Sequence, residues 1–195
     1  MTVDAVILAA GTSSRAGGFK PSFPIDGTPM ILRIVRIYKP FCARVIVVGG
    51  YRIDTLRELL CEEESVTIVE NGRYERGMFS SIKQGLKAVT ANRAIVTPGD
   101  LPFVKPSTIE CILSRTEPVA VPGFENRRGH PVLLSKETIG TILGESDESN
   151  LREVLSRQSF ITVETDDPGI LHDIDYPADI DFPTPSRVPI HGNPG

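Results

Sequence analysis

The chain has 195 residues, of which 40% are hydrophobic and 24% are charged, and this is the composition of an ordinary globular domain. It excludes a collagen-like, intrinsically disordered or membrane-spanning chain. The 21 Lys and Arg residues against 25 Asp and Glu give a formal net charge of −4. No overall positive field therefore attracts nucleic acid or an anionic membrane, and any bound phosphate must be held by a few local groups.

The cysteines and the first residues predict a cytoplasmic protein. Cys42, Cys61 and Cys111 are odd in number and form no CxxC pair, which argues against a disulfide framework and against a zinc cluster. Reduced thiols fit the cytoplasm best. The apolar run AVILAA near the N-terminus is interrupted upstream by Asp4 and is too short for a signal peptide or a membrane span.

Short β-branched runs alternate with helical patterns through the first two thirds of the chain. In chain order we predict a strand at 3–10, a helix at 29–38 with Thr28 as its N-cap, a strand at 43–50, a helix at 53–62, a strand at 66–69, a helix at 80–89, a strand at 93–97, a helix at 106–114 and a strand at 118–122. This alternation predicts an α/β fold with a mostly parallel sheet, helices on both faces and right-handed crossovers.

The remainder of the chain is less regular. A loop at 123–131 leads into the apolar run 132–134, after which we expect helices at 135–142 and 150–157 and a strand at 160–165. The segment 182–195 contains four prolines and two glycines, which predicts a disordered end or a linker. We therefore expect one domain over residues 1–181, followed by this tail.

The segment LAAGTSSRAGGFK, from Leu8 to Lys20, follows the first predicted strand at its carboxyl end, where parallel sheets bind ligands. Its glycines let the backbone turn tightly, Ser13 and Ser14 offer hydroxyls, and Arg15 and Lys20 offer cations. Such a loop suits a polyphosphate. It matches neither GxGxxG nor the Walker A spacing. A flexible strand-to-helix connection is the alternative.

Carboxylates follow two other segments. The strand AIVTPGDLPFV runs into Gly99-Asp100, which places Asp100 at the same sheet edge as the glycine loop, where a carboxylate could hold Mg²⁺ beside phosphates. The alternative is a turn or cap residue. LHDIDYPADI offers Asp173 and Asp175, which share a face if the segment is extended, so that one of them could be a second metal ligand. The alternative is an acidic turn that caps a short helix.

Two further segments carry weaker signals. In NGRYERGMFSSIKQGL, Asn71 follows a strand, and Ser80 and Ser81 lie at the start of a helix, which can receive an anion or a base edge. In FENRRGHPVLL, Arg128 and His130 could clamp a second, anionic substrate. A single histidine in a loop is more often structural or simply exposed.

Together these segments resemble the MobA-like nucleotidyltransferases, and within them the molybdenum cofactor cytidylyltransferase group. The resemblance covers the chain from Val3 to about Ile180. The matching motifs are LAAG at 8–11, Ser13 to Gly17 with Lys20, Gly27-Thr28-Pro29, Gly77 to Leu86, Gly99 to Pro102, Gly129 to Val132 and Asp173 to Asp179.

The resemblance implies a three-layer α/β/α, Rossmann-like sheet and the transfer of a nucleoside monophosphate from an NTP, CTP or GTP, to a phosphorylated acceptor such as molybdopterin, with Mg²⁺ as cofactor and a molybdoenzyme as a downstream partner. It implies catalytic roles for Arg15, Lys20 and Asp100, and metal ligation by Asp100 and Asp175. Acceptor binding would fall to Arg128 and His130. The implied nucleotide-binding residues are Leu8, Ala9, Ala10, Gly11, Arg15, Lys20, Asn71, Ser81 and Gly99.

The chain departs from the family pattern at three places. Ala16 replaces a Met, Leu101 replaces a common Gln and thereby removes a polar group near the expected metal, and Asn150-Leu151-Arg152 keeps only the Arg of an acceptor-side motif. These departures leave the base and the acceptor open. A sugar-phosphate nucleotidyltransferase and a nucleotide-binding regulatory module without turnover are the alternatives, and pyrophosphate release separates the second from an enzyme.

Overall fold

A computed structural model describes residues 2–12 and 17–180 of the chain. The predicted tail at 182–195 and the loop residues 13–16, which include Arg15, lie outside the described residues. The predictions made for them therefore remain predictions.

The described chain forms one large twisted sheet and a small hairpin. Its strands are β1 (Val3–Ala9), β2 (Pro24–Ile25), β3 (Thr28–Pro29), β4 (Arg44–Gly49), β5 (Val66–Glu70), β6 (Arg93–Pro98), β7 (Val119–Phe124), β8 (Arg127–Arg128), β9 (Val132–Ser135) and β10 (Ile161–Glu164). The large sheet has the order β10-β7-β9-β6-β1-β4-β5, with β8 paired to β7, and the hairpin joins β2 to β3. Strands β6, β1, β4 and β5 are parallel neighbours, whereas β9 is antiparallel to both β6 and β7.

Helices cover both faces of the sheet. They are α1 (Met30–Tyr38), α2 (Ile53–Leu59), α3 (Met78–Lys87), α4 (Pro106–Leu113), α5 (Lys136–Gly144) and α6 (Leu151–Ser156). Successive side chains of a strand point to opposite faces. Ile7 of β1 accordingly packs into one core with α1 and α4, while Val6 packs into a second core with α3 and α5. The predicted three-layer, mostly parallel fold is confirmed.

The beginning of helix α1 corrects one sequence prediction. Thr28 is not the N-cap, because Thr28 and Pro29 are extended and pair with β2. Asp26 and Gly27 form the turn between these two strands with φ of 49° and 77°, the backbone that an Asp-Gly hairpin turn favours. The helix therefore begins at Met30, whose N–H donates to the carbonyl of Phe23 over 2.8 Å.

A buried carboxylate fixes the amino end of β1. Asp4 is 1% exposed, and its Oδ2 accepts from Arg44 Nη2 at 2.9 Å and from the backbone N–H groups of Thr90 and Ala91 at 2.9 and 3.1 Å. Burial by itself raises the pKa of Asp4, but these donors outweigh burial and hold the pKa below its ordinary value.

Cys42, Cys61 and Cys111 are all free thiols, as predicted. Among the described residues, no helix combines the length and the apolar character needed to cross a membrane.

Candidate active site

A cavity of about 580 Å³, which we call the first cavity, opens where strands β1 and β6 end. It lies at the carboxyl edge of the parallel sheet, where open α/β sheets bind their ligands. The predicted site residues that line it are Leu8, Ala9, Ala10, Gly11, Lys20, Ser81, Gly99, Asp100 and Asp175. Residues distant in sequence thus meet in one place.

Gly99 allows β1 and β6 to approach closely at this edge. Its N–H donates to the carbonyl of Leu8 at 2.8 Å. A Cβ atom at residue 99 would lie 2.7 Å from that carbonyl oxygen and 3.3 Å from the Cβ of Ala9. Only glycine fits without a shift of the backbone, and the close approach puts Asp100 directly beside the loop that follows β1.

Lys20 joins the two carboxylates that the resemblance assigned to a metal. Its Nζ lies 3.0 Å from Asp100 Oδ2, 3.0 Å from Asp175 Oδ1 and 2.9 Å from the carbonyl oxygen of Ile174. The N–H of Ile174 in turn donates to the carbonyl of Asp100 at 2.9 Å, which keeps the two acidic segments side by side. We call Lys20, Asp100 and Asp175 the charge cluster.

The charge cluster is partly withdrawn from water, with side-chain exposures of 15%, 27% and 33% for Lys20, Asp100 and Asp175. Burial lowers the pKa of Lys20, yet Asp100 and Asp175 outweigh burial and hold the pKa above its ordinary value, so the amine is cationic. Burial raises the pKa of Asp100; Lys20 opposes this change, and the carboxylates of Asp173 and Asp175 add to it.

Of the acidic residues in LHDIDYPADI, Asp175 is the one that contacts the charge cluster, whereas Asp173 is exposed and acts on Asp100 through its charge. Asp179 Oδ2 accepts from the N–H groups of Asp175 and Tyr176 at 2.9 and 2.7 Å. Both interpretations of this segment therefore hold, but for different residues: Asp179 caps the turn, and Asp175 belongs to the charge cluster.

Leu101 does not line the first cavity. It is 3% exposed and packs in the core beneath the charge cluster. Its departure from the family pattern therefore affects packing below Asp100 and leaves the groups that face the cavity unchanged.

Asn71 does not line the first cavity either, and supports it from behind. Its side chain is buried, with Nδ2 donating to Ser80 Oγ at 2.9 Å and to Ser81 Oγ at 3.0 Å, while Oδ1 accepts from the N–H of Arg73 at 3.0 Å. Ser81 lines the cavity. Asn71 thus reaches the cavity through a serine hydroxyl, and its role in nucleotide binding stays a prediction.

Tyr74, Glu75 and Met78 line the first cavity and were missed by the sequence analysis. They belong to a short turn and the first residue of α3, joined by Gly77 with φ of 95°. A Cβ atom at Gly50 would lie 2.8 Å from the Tyr74 side chain, so this glycine lets Tyr74 lie flat against the sheet edge. The sequence signal that could have found these residues was their position in a turn that follows the parallel strand β5.

The predicted acceptor residues lie outside the first cavity. The guanidinium of Arg128 stacks on Phe160, 4.8 Å from the ring centroid, on the hairpin beside β7. His130 directly precedes β9, and its N–H donates to the carbonyl of Ile170 at 3.1 Å. Burial lowers the pKa of His130 below its ordinary value, with the backbone of Val96 opposing, so the ring is neutral near pH 7.

Strand β9 sets the position of His130 in the sheet. This antiparallel strand returns between β7 and β6, and its register pairs Val132 with Val96. His130 therefore lies near the end of β6, the strand that leads into Asp100.

The donors and charges around the first cavity suit a polyphosphate. The cation of Lys20 and the glycine-rich backbone after β1 meet negative oxygens at short range. Among the residues that the structure describes, no cluster of three or more His, Cys, Asp or Glu side chains could bind a metal by itself. Two converging carboxylates with a substrate phosphate would form the usual mixed ligand set of a magnesium ion.

Comparison with known proteins gives the same picture. The model of the MobA-like NTP transferase domain matches residues 5–162. The molybdenum cofactor cytidylyltransferase of Escherichia coli (strain K12) is 31% identical over 178 residues, which cover 91% of this chain and 93% of that protein.

Solved structures share the fold. A nucleotidyl transferase from Methanothermobacter thermautotroptrophicus aligns with a TM-score of 0.78 at 21% identity, over 91% of this chain and 94% of that one. A Mycobacterium tuberculosis H37Rv protein in complex with manganese aligns with a TM-score of 0.70 at 19% identity, over 85% and 89% of the two chains. The family model and the identity to the cytidylyltransferase decide the assignment: this chain belongs to the MobA-like NTP transferase family and is a nucleotidyltransferase.

Proposed function

We propose that this protein transfers a nucleoside monophosphate from an NTP, with CTP preferred, to the phosphate of molybdopterin, in a magnesium-dependent reaction that releases pyrophosphate. The observation that carries the proposal is the charge cluster of Lys20, Asp100 and Asp175 at the mouth of the first cavity. The preference for CTP and the choice of molybdopterin are supported by the identity to a cytidylyltransferase of that name.

The residues present fit a divalent cation, because the carboxylates of Asp100 and Asp175 both approach one positive centre at 3.0 Å. These two residues would hold the metal, which when bound neutralises phosphate oxygens and strengthens the electrophile. The manganese complex of a protein with the same fold supports a divalent ion of this kind.

The reaction needs no covalent enzyme intermediate, because an acceptor phosphate oxygen is already a nucleophile. A bond forms between that oxygen and the α-phosphorus, and the bond to the β-phosphate oxygen breaks, so that pyrophosphate leaves. Lys20 offers a cation to the charge that develops on the leaving group, and Arg15 serves the same purpose in the resemblance. The backbone after β1 and the hydroxyl of Ser81 hold the nucleotide in position for in-line attack.

A screen of pyrophosphate release tests the proposal. CTP, GTP, ATP and UTP are each supplied with molybdopterin, with a sugar phosphate or with no acceptor, in Mg²⁺ and in excess EDTA. We expect release with CTP and molybdopterin only when Mg²⁺ is present. A preference for GTP, or turnover with a sugar phosphate alone, would reject the finer assignment while leaving the nucleotidyltransferase intact.

The matched variants are Asp100→Asn and Asp173→Asn, two isosteric changes on neighbouring segments. We expect Asp100→Asn to remain folded and to lose most turnover, because an amide is a poor ligand for Mg²⁺. Asp173→Asn changes an exposed carboxylate outside the charge cluster and should keep most of the wild-type rate. Equal rates in the two variants would refute the metal site.

The cysteines indicate the compartment in which the reaction takes place. Free thiols at Cys42, Cys61 and Cys111 suit a reducing environment, so we propose that the reaction takes place in the cytoplasm.

A further inference from the structure

Residues 167–175 pack against the loop that joins Asp100 to helix α4. At one end of this contact, the N–H of Ile174 donates to the carbonyl of Asp100 at 2.9 Å. Further back, a Cβ atom at Gly169 would collide with the carbonyl group of Phe103, so the two backbones pass in close contact there. The 167–175 segment and the loop after β6 are therefore held together at more than one point.

The buried carboxylate of Asp167 fixes the far end of this contact. Asp167 is 1% exposed. Its Oδ2 accepts from the N–H of Lys105 at 2.8 Å and from the hydroxyl of Thr108 at 2.7 Å. Its Oδ1 accepts from the N–H of Gly169 at 2.9 Å. Lys105 is the N-cap of α4 and Thr108 lies in its first turn, so one carboxylate ties the start of α4 to the 167–175 segment.

The three donors around Asp167 explain why a carboxylate stands there. Burial of a carboxylate is costly unless hydrogen bonds replace the lost water, and hydrogen bonds to a charged acceptor are the strong ones. Two backbone N–H groups and one hydroxyl supply them. A carboxylate only accepts, so it serves all three donors at once, whereas an amide at this position would turn its own NH₂ group toward one of them. The donor set therefore requires an aspartate and fixes the spacing between α4 and the 167–175 segment.

The relative position of Asp100 and Asp175 depends on this contact. Strand β10 ends at Glu164, so the 167–175 segment lies beyond the last strand of the sheet and its path is set by the loop contacts just described. Ligands of a metal must be held within about 0.5 Å of their working geometry. Residues behind the ligands hold them there, and their loss typically costs about 10- to 100-fold in metal affinity.

We propose that Asp167 is a positioning residue for the pair of carboxylates, Asp100 and Asp175, that would hold the divalent cation. This proposal rests on the proposed function for its metal. By tying the start of α4 to the 167–175 segment, Asp167 sets the distance at which the two carboxylates face each other. It acts through the backbone, and its own oxygens are occupied by Lys105, Thr108 and Gly169.

The test measures binding of Mn²⁺ alone to the full-length protein, by electron paramagnetic resonance of the free ion. The variants are Asp167→Asn, Thr108→Val and Thr108→Ser. We expect Asp167→Asn to weaken Mn²⁺ binding by about 10-fold or more. Thr108→Val keeps the shape of the side chain but removes its hydroxyl, and should weaken binding by about 2- to 10-fold, the value of one hydrogen bond. Thr108→Ser restores the hydroxyl and should bind Mn²⁺ nearly as the wild type does.

Asp4→Asn is the matched control. Asp4 is also 1% exposed and its carboxylate also accepts three hydrogen bonds, but it lies at the amino end of β1, at the opposite edge of the sheet from Asp100. We expect this variant to lose stability and to bind Mn²⁺ as the wild type does. Circular dichroism melts set a temperature at which every variant is folded. If Asp167→Asn does not fold at any temperature, the two Thr108 variants decide the test.

Hydrogen exchange of the metal-free proteins, followed by mass spectrometry, reads the positioning directly. We expect peptides that cover 100–108 and 167–175 to exchange faster in Asp167→Asn and Thr108→Val than in the wild type, because the contact between the two segments is loosened. The same peptides should exchange at the wild-type rate in Asp4→Asn and Thr108→Ser.

The two measurements separate this proposal from the proposed function. If the wild type does not bind Mn²⁺, the metal site of the proposed function is rejected, and hydrogen exchange alone decides whether Asp167 holds the two segments together. If the wild type binds Mn²⁺ and the folded Asp167→Asn and Thr108→Val proteins bind it equally well, Asp167 contributes stability alone and the proposal is rejected. An equal loss of Mn²⁺ binding in Asp4→Asn would reject it too, because the loss would then follow from general destabilisation.

Discussion

Replacing Asn71 by alanine tests whether this residue supports the first cavity through Ser81. The change removes three hydrogen bonds, to Ser80 Oγ, to Ser81 Oγ and from the N–H of Arg73. At a net value of about 1 kcal/mol each, the free energy of unfolding should fall by about 3 kcal/mol. For a chain of this length, that corresponds to a decrease in Tm of about 6–12 °C.

The functional effect should be indirect. Without Asn71, the hydroxyl of Ser81 loses its fixed orientation, and CTP affinity should fall by about 2- to 10-fold, the value of one neutral hydrogen bond. A double-mutant cycle gives the sharper result. In the Asn71→Ala background, Ser81→Ala should cost little additional affinity, because both changes remove the same interaction with the nucleotide.

Calorimetry with CTP and thermal unfolding provide the two measurements. Asn150→Ala is the matched control, because Asn150 caps α6 at an exposed position by accepting from the N–H of Glu153 at 2.9 Å. It should cost about 1 kcal/mol of stability and leave CTP affinity unchanged. Additive losses of affinity from Asn71→Ala and Ser81→Ala would mean that Asn71 contacts the nucleotide directly, and the reasoning would fail.

Three further predictions concern the catalytic cation, the close strand contact and acid stability. Lys20→Ala should reduce pyrophosphate release by about 10²-fold or more, as for loss of a charge-stabilising donor, whereas Lys39→Ala, an exposed change, should not; equal rates would remove Lys20 from the site. Gly99→Ala should lower the free energy of unfolding by about 1–3 kcal/mol, measured in denaturant titrations, because the new Cβ would lie 2.7 Å from the carbonyl oxygen of Leu8 in β1. The control is Gly140→Ala in helix α5, which has open space around it and should leave the stability unchanged or raise it. The pKa of Asp4 in the folded protein lies below its ordinary value of 3.8, so ionised Asp4 stabilises the fold above that pH, and this contribution is lost as the pH falls below about 4. The free energy of unfolding of Asp4→Asn should therefore lack this loss at acid pH. The same pH dependence in the variant and the wild type would contradict the assignment.

The order of elements could be predicted from the sequence because local patterns decide it. The run from Val3 to Ala9 and the run from Arg44 to Gly49 are short, apolar and β-branched, which specifies buried parallel strands. Element boundaries were less secure. Helix α1 begins later than predicted because Thr28 and Pro29 pair with β2, and this pairing depends on the left-handed backbone of the turn at Asp26 and Gly27.

The strand order beyond β6 could not be read from the sequence, and this limited the prediction of the acceptor side. Residues 132–135 follow a loop after β7, and nothing local specifies whether they continue outward or return. In the structure they pair with both β6 and β7 in antiparallel register, which fills the position between those strands. This antiparallel return brings His130 near the end of β6, a position that the spacing of residues along the chain does not predict.

The charge cluster shows what motif matching leaves out. From the sequence, Lys20 was assigned to the triphosphate, whereas Asp100 and Asp175 were assigned to the metal. The structure brings the amine of Lys20 to 3.0 Å from each carboxylate. In the sequence, Lys20 is separated from Asp100 by 80 positions and from Asp175 by 155 positions. Because the single cation of Lys20 offsets part of the two negative charges, the carboxylates of Asp100 and Asp175 can lie close together in a partly buried cavity. If the proposed function is right, binding of an NTP would move the contacts of Lys20 from carboxylate oxygens to phosphate oxygens, so that one residue would both stabilise the pair of carboxylates and meet the substrate.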